Sequence, residues 1–257
     1  MDIGKAQQQI FDHSKSARQK YAELVVGRPG IGALLKHEAV TLSSQHVPGA
    51  FGLALRKVLY PLLLGSCGRN VIFGQNVVLR HPHKIHIGDN VMIDDNCLVD
   101  AKGESNRGIT IGSGVFVGRN SILSSKNGDI ELGDRVNIGF NCEVFSASRV
   151  TIGADTLLAA YCYVIGGDHD WSDPSQPVLG QGRTSSGVTI GAGAWLGAGV
   201  KVLDGASIGD HAVVGAGAVV KGEVPEAAIA VGMPAKVIGQ RHPSTRPGGP
   251  RSGSGVL

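Results

Sequence analysis

The sequence predicts an all-β fold: a triangular prism of short parallel strands wound as a solenoid, with a short α-helical region ahead of it. Three observations carry this reading. Aliphatic residues recur at every sixth position, small residues recur four places after each of them, and 39 glycines in 257 residues follow no Gly-X-Y period. Hydrophobic residues at 42% exclude a disordered chain, while 18% charged and 5% aromatic residues suit a core of thin, repeated layers.

The repeat is clearest from Ile190. There Ile190, Leu196, Val202, Ile208, Val214 and Val220 stand in register, and Ala194, Val200, Ala206, Ala212, Ala218 and Val224 fill the small positions. Ile, Leu and Val make about a quarter of the chain, so six in register arise by chance roughly once in several thousand frames. The frame runs upstream through Ile87, Ile93 and Val99, then Ile111, Val117 and Leu123. It continues at Leu132, Ile138 and Val144, and again at Ile152, Leu158 and Val164. The blocks open on KIHIGDNV, GITIGSGV, DIELGDRV, RVTIGADT and GVTIGAGA, with spacings from Ile87 of 24, 21, 20, 38 and 18 residues. The spacing of 18 is three hexads, so one coil is three short strands and each excess is an insertion. Coils stacked about 4.8 Å apart pair each strand with the next, and glycine permits tight corners at positive φ.

Where the frame fails is equally informative. The small position holds after the first two strands of a coil: Val91 and Cys97, Val115 and Ser121, Val136 and Cys142, Thr156 and Cys162. After the third strand it becomes Gly103, Asn127, Ser148 and Asp168. Insertions therefore leave from the third corner and stack on one edge, and the largest, 166 to 187, is the candidate active-site loop. Cys97, Cys142 and Cys162 occupy the small inward slot and read as core thiols. Together with Cys67 they form no CxxC pair, which points to a reducing compartment.

Residues 1–66 read as a helical N-terminal region, 67–239 as the prism and 240–257 as a disordered tail. Segment 48–65, PGAFGLALRKVLYPLLLG, is apolar but interrupted by Arg56, Lys57 and Pro61. It reads as a helix covering the open end of the prism, or as one lying on a membrane with basic side chains at the headgroups. No run of 18 apolar residues is present, and the polar stretch from Met1 to Gln9 lacks a signal-peptide core. The expected location is the cytoplasm, with peripheral contact at the inner face of the membrane. A net charge of +3, scattered along the chain, gives no argument for nucleic acid.

The repeats, together with GGDHDWSDPSQPVLGQ (166–181) and VPEAAIAVGMPAKVIG (224–239), resemble the left-handed β-helix, hexapeptide-repeat acyltransferases. The similar branch is that of the maltose and galactoside O-acetyltransferases and their polysaccharide-biosynthesis relatives, and the resemblance covers roughly residues 72 to 240. It implies left-handed coiling, where ordinary crossovers are right-handed. It also implies a homotrimer with active sites between neighbouring prisms, acetyl-CoA as donor, a sugar or glycan hydroxyl as acceptor, and no metal.

By the same resemblance His169 falls on the catalytic histidine, 17 places after Ile152. Imidazole suits the role because it accepts a hydroxyl proton near neutral pH while the acceptor oxygen attacks the thioester, with a backbone N–H for the oxyanion. Asp168, Asp170 and Asp173 are all near enough in sequence to orient the ring. Trp195 matches a tryptophan lining the site, and Gln181 a loop position of the polysaccharide-type relatives. Ala198 and Ala216 match positions where backbone meets the pantetheine arm. Lys221 and Lys236 match positions near the CoA phosphates, where a cation is physically sensible. Gly239 departs from a basic residue in some relatives, with Arg241 as the substitute. On the acceptor side the sugar enzymes' Asn and Asp are replaced by Gly139 and Ala147, with Asn141 nearby, so a simple galactoside or maltose acceptor is not expected.

Three alternatives remain at this point. A serine acetyltransferase would share the prism but carry a longer helical domain. A γ-class carbonic anhydrase would need three histidines on one zinc, and His81, His83 and His86 lie close together before the first clear coil. A catalytically silent scaffold would bind neither CoA nor metal.

Overall fold

The computed structural model describes residues 12–242. The first eleven residues of the helical region and the part of the tail from 243 to 257 lie outside the described residues. Three sheets of eight, nine and seven strands, parallel except for the last strand of the second, form the three faces of a solenoid of eight coils among the described residues. Within the first face Ile87, Ile111, Leu132, Ile152, Ile190 and Ile208 stand in direct register from coil to coil. The second face aligns Ile93, Val117, Ile138, Leu158, Leu196 and Val214. The third aligns Val99, Leu123, Val144, Val164, Val202 and Val220. These side chains are buried and form one continuous core.

The solenoid starts one coil earlier than the aliphatic frame does. Cys67, Phe73 and Leu79 take the inward columns beneath Ile87, Ile93 and Val99, with Val71 and Val77 in the small slots. At the other end the last coil is two residues short, so Val224 pairs with Ile208 and stands in the large column, not the small slot. Ala228 and Ala230 narrow this coil, and an antiparallel strand, Lys236–Gln240, closes the second face against Ala228–Val231.

Asparagine, more than glycine, makes the corners of the N-terminal half. Asn70, Asn76, Asn90, Asn96, Asn120 and Asn141 all take φ between 55° and 59°, a conformation that short polar side chains tolerate. Asn70 donates to Asn90, and Asn76 to Asn96, at 3.1 Å. The small inward slot has its own hydrogen-bond logic. Cys97 Sγ donates to the Gly118 carbonyl, Ser121 Oγ to Gly139, Cys142 Sγ to Ala159 and Cys162 Sγ to Gly197, at 3.0–3.3 Å. A weak donor in a small slot thus satisfies a buried corner carbonyl of the next coil. Burial pushes the Cys97 thiol up to about 11, and all four cysteines are free.

The helices cover the open end of the first coil. Helix α1 (Ala17–Tyr21) begins with a capping box between Ser16 and Gln19; α2 (Ile31–Ser44) and α3 (Gly49–Leu59) follow. Arg56 of α3 is 1% exposed: Nε donates to the Phe73 carbonyl, and Nη1 to those of Ser44 and Val47. It therefore plugs the prism and does not face headgroups. Tyr60 donates to the Val77 carbonyl at 2.8 Å, and the Asn76 N–H donates to Gln45 at 3.0 Å, as to a preceding coil. Leu35, Leu42, Phe51, Val58 and Leu62 stay exposed on these helices. Among the described residues no helix is long and apolar enough to cross a membrane.

Candidate active site

All large insertions leave the third corner, where the third face turns back to the first. In chain order they are His81–Lys84, 103–108, 127–128, 147–148 and 167–187. The last begins as a two-stranded antiparallel hairpin in which Asp168 pairs with Thr184 and His169 with Arg183. Its exit is tight: a Cβ at Gly167 would lie 2.7 Å from the Ala147 Cβ. Its return is tighter, since Gly187 has φ +82° and a Cβ there would collide with the Arg149 carbonyl.

Three side chains outside the hairpin hold its base. Ser185 Oγ donates to the Gly166 carbonyl at 2.9 Å and contacts Ser148 Oγ at 2.7 Å. The Asp204 carboxylate, in the third-corner turn of the next coil, accepts from the Ser186 and Gly187 N–H groups at 2.8 and 2.9 Å. The same device recurs where Asp129 accepts from the Arg107 and Gly108 N–H groups. Sequence reading missed Asp204, although an aspartate after a corner was visible in IGD, LGD and VLD.

The ring of His169 is half-buried. Its Nδ1 is buried without a hydrogen-bond partner, which leaves Nε2 as the nitrogen open to solvent. None of the three neighbouring aspartates touches the ring. Asp168 accepts from the His169 backbone N–H, Asp170 from the Ser172 N–H, and Asp173 from Ser175 and Gln176. Hydrogen bonds from Ser172 hold the Asp170 carboxyl, and those from Ser175 the Asp173 carboxyl, below the usual carboxylate range. Gln181 spends its amide on the loop itself: Oε1 accepts from the Asp173 N–H, and Nε2 donates to the Asp173 and Gln176 carbonyls.

The other candidate residues lie on a different edge. Ala198 and Ala216 are exposed at the second corner in successive coils, linked by Gly217 N–H to the Ala198 carbonyl at 2.8 Å. Asn141 occupies the same corner, two coils back from Ala198. Trp195, 37% exposed, lies on the second face beside Leu157 and Val213. Lys236 is exposed on the closing strand near that corner, while Lys221 is exposed at the third corner. Within one chain the second and third corners are separated by the length of one strand, on the order of 15 Å. His169, Gln181 and Lys221 belong to the third edge, and Asn141, Trp195, Ala198, Ala216 and Lys236 lie at or near the second, spread over several coils.

His81, His83 and His86 form no metal-binding group among the described residues. His81, buried at a left-handed φ of 51°, donates from Nε2 to the Glu23 carbonyl at 2.9 Å and stacks on His83; His86 bonds Ser66. Burial pushes His81 down to about 4.

Known proteins are similar in both sequence and fold. The family description "bacterial transferase hexapeptide (six repeats)" matches residues 187–222. A probable acetyltransferase of Mycobacterium tuberculosis, Rv3034c, is 37% identical over 134 residues, which are 52% of this chain and 45% of that protein. The chain thus spans less than half the length of that relative. WbbJ of Escherichia coli, a putative lipopolysaccharide biosynthesis O-acetyl transferase, is 34% identical over 162 residues, 58% of this chain and 79% of that one. The solved structure of AntD, an N-acyltransferase from Bacillus cereus in complex with dTDP and 3-hydroxybutyryl-CoA, shares the fold with a TM-score of 0.53 at 22% identity, covering 77% of this chain and 91% of that chain. With coils of hexads in register throughout, a third-corner hairpin carrying His169, and a relative matched over most of its length, the chain belongs to the hexapeptide-repeat acyltransferases.

Proposed function

We propose that this protein is an O-acetyltransferase moving acetyl from acetyl-CoA to a hydroxyl of a sugar or glycan precursor, with His169 as general base. The observation that carries the reading is the hairpin, which presents Nε2 to solvent on the insertion edge while burying Nδ1. Nε2 takes the acceptor hydroxyl proton as the oxygen attacks the thioester carbonyl; collapse of the tetrahedral intermediate expels the CoA thiolate, which recovers that proton. A positioned base of this kind contributes about 10²–10⁴ in rate.

The split between the two edges supports a homotrimer in which the third edge of one prism faces the second edge of the next. CoA would then lie along Ala198 and Ala216, with Lys221 and Lys236 toward its phosphates, and Asn141 and Trp195 toward the acceptor. The four free thiols suit a reducing, cytoplasmic setting.

The test is calorimetric titration with acetyl-CoA, followed by thiol release in the presence of candidate sugars. His169→Ala is expected to keep CoA affinity within about twofold and lose turnover by about 10²–10⁴. Turnover unchanged in His169→Ala, or no CoA binding by the folded protein, would sink the reading. Sedimentation equilibrium checks the trimer.

A further inference from the structure

We propose that the cavity between the N-terminal helices and the insertion edge binds a phosphate or diphosphate ester, the charged handle of the acceptor. The inference rests on the acyl-transfer reading for the word acceptor, but the site itself is argued from this chain's own charges and shape. The cavity has a volume of about 730 Å³, within the range of small-molecule sites. Five cations and two carboxylates line it. That excess of three equals the formal net charge of all 257 residues, gathered around one hollow.

Lys15 Nζ lies 2.7 Å from Glu23, and the Asp100 and Glu23 carboxylates attract Lys102. The cations come from separate parts of the chain: Arg18 in α1, Arg28 after it, and Lys102 and Lys126 on the third face. Lys102 and Lys126 are direct partners in parallel register, so two ammonium groups project from neighbouring coils on the same side. Like charges directly opposite each other in a sheet are unfavourable, and a phosphate at the pair would add to the attraction that Asp100 and Glu23 already exert on Lys102. Burial lowers both lysines from their ordinary values, and Arg183 adds to the repulsion at Lys126. Guanidinium forks from Arg18 and Arg28 match phosphate oxygens in a way a lone ammonium does not. Ile31 and Leu34 give the cavity an apolar wall for the organic part of an ester.

The position ties the cavity to the hairpin. Arg183, close enough to act on Lys126, is the residue paired with His169. The strand carrying Lys126 lies two steps along the third face from the strand that feeds the hairpin, about 10 Å along the axis. A glycosyl unit held by its phosphate in the cavity would extend along the edge toward Nε2.

The experiment measures binding to the full-length protein without any turnover. Inorganic pyrophosphate and UDP probe the soluble source of the ester; phosphatidylcholine vesicles carrying farnesyl diphosphate, against plain phosphatidylcholine vesicles, probe the lipid-borne one. Saturable binding of at least one probe is expected, weakened about tenfold or more in Lys102→Gln/Lys126→Gln, with acetyl-CoA affinity within about twofold of the parent. Arg18→Gln/Arg28→Gln and the single Lys126→Gln serve as second variants, each checked by thermal melting, so that misfolding of one does not decide the matter. The proposal is overturned if no probe binds, if the variants bind as the parent does, or if acetyl-CoA binding falls in parallel, which would make the cavity part of the CoA site. Loss of the acyl-transfer reading would show separately, as retained turnover in His169→Ala.

Discussion

The second and third edges of the prism obey the same six-residue rule, yet one is a continuous ladder and the other a row of interruptions. Along the second edge the corner N–H of each coil donates to the coil before it, from Asn96 N–H to Gln75 at 2.8 Å through Gly217 N–H to Ala198 at 2.8 Å. Along the third edge the ladder is repeatedly broken by insertions, and side-chain carboxylates accept from the loop N–H groups: Asp129 under 103–108 and Asp204 under the hairpin. The difference teaches that repetition supplies a backbone ladder, whereas each insertion is held by side chains that arrive from neighbouring coils. It also predicts that damage to the inner columns and damage to the insertion edge have separable consequences.

The largest stability loss is expected inside. Leu158, fully buried, has aliphatic neighbours in register on both sides, so Leu158→Ala should cost about 2–5 kcal/mol in chemical denaturation. A loss below 1 kcal/mol would mean the columns are not the main source of stability. Next comes the pH response of the N-terminal end of the third edge. His81 is depressed in the folded chain to about 4 from an ordinary 6.5, so its stabilisation is fully present above pH 6.5 and is lost as pH falls toward 4, on the order of 3 kcal/mol in all. His81→Asn, which tolerates the left-handed backbone, should flatten the stability profile across that window; an unchanged slope would assign it to other groups.

Asp204→Ala removes the acceptor of two loop N–H groups at a cost of about 1–2 kcal/mol. Its signature should be faster hydrogen exchange at 185–187 and a lower kcat, with acetyl-CoA affinity kept; a variant with slow exchange and full kcat would show that the hairpin needs no such anchor. The smallest effect lies on the first edge. Ala227 holds φ +53° without the excuse of a polar side chain, and Ala227→Gly should raise stability by up to about 1 kcal/mol. A fall in melting temperature would mean the alanine methyl matters more than the backbone.

The inner columns were legible because burial acts on every sixth residue alike, and the insertions were legible as gaps in that rhythm. Coil 1 was harder to read: Cys67 and Phe73 fill aliphatic columns without being aliphatic. The corners were legible as glycine where Gly193, Gly199, Gly205 and Gly217 take positive φ; in the N-terminal half asparagine reaches the same φ at modest cost and adds a side-chain ladder that glycine cannot. At the candidate site, the loop that carries His169 was legible as the largest gap in the rhythm, but the surroundings of the ring were not. The aspartates beside it in sequence bond to local backbone, while the carboxylate that steadies the hairpin arrives from the following coil. The basic cavity was invisible for the same reason, as Arg18 and Lys126 are distant in sequence and meet only through the stacking of coils on helices.

The closing strand, Lys236–Gln240, settles a question about length. A solenoid is a polymer in miniature: any coil accepts another on top, and an uncovered parallel edge would accept the first coil of a second molecule and so on without limit. By running backwards against Ala228–Val231, this strand turns the growing end of the second face into one whose hydrogen-bond pattern no further coil of the repeat can match. At the opposite end the buried guanidinium of Arg56 occupies the Phe73 carbonyl, which a preceding coil would need. Two small devices, one at each terminus, keep a sequence that could specify a fibre as a particle of fixed size.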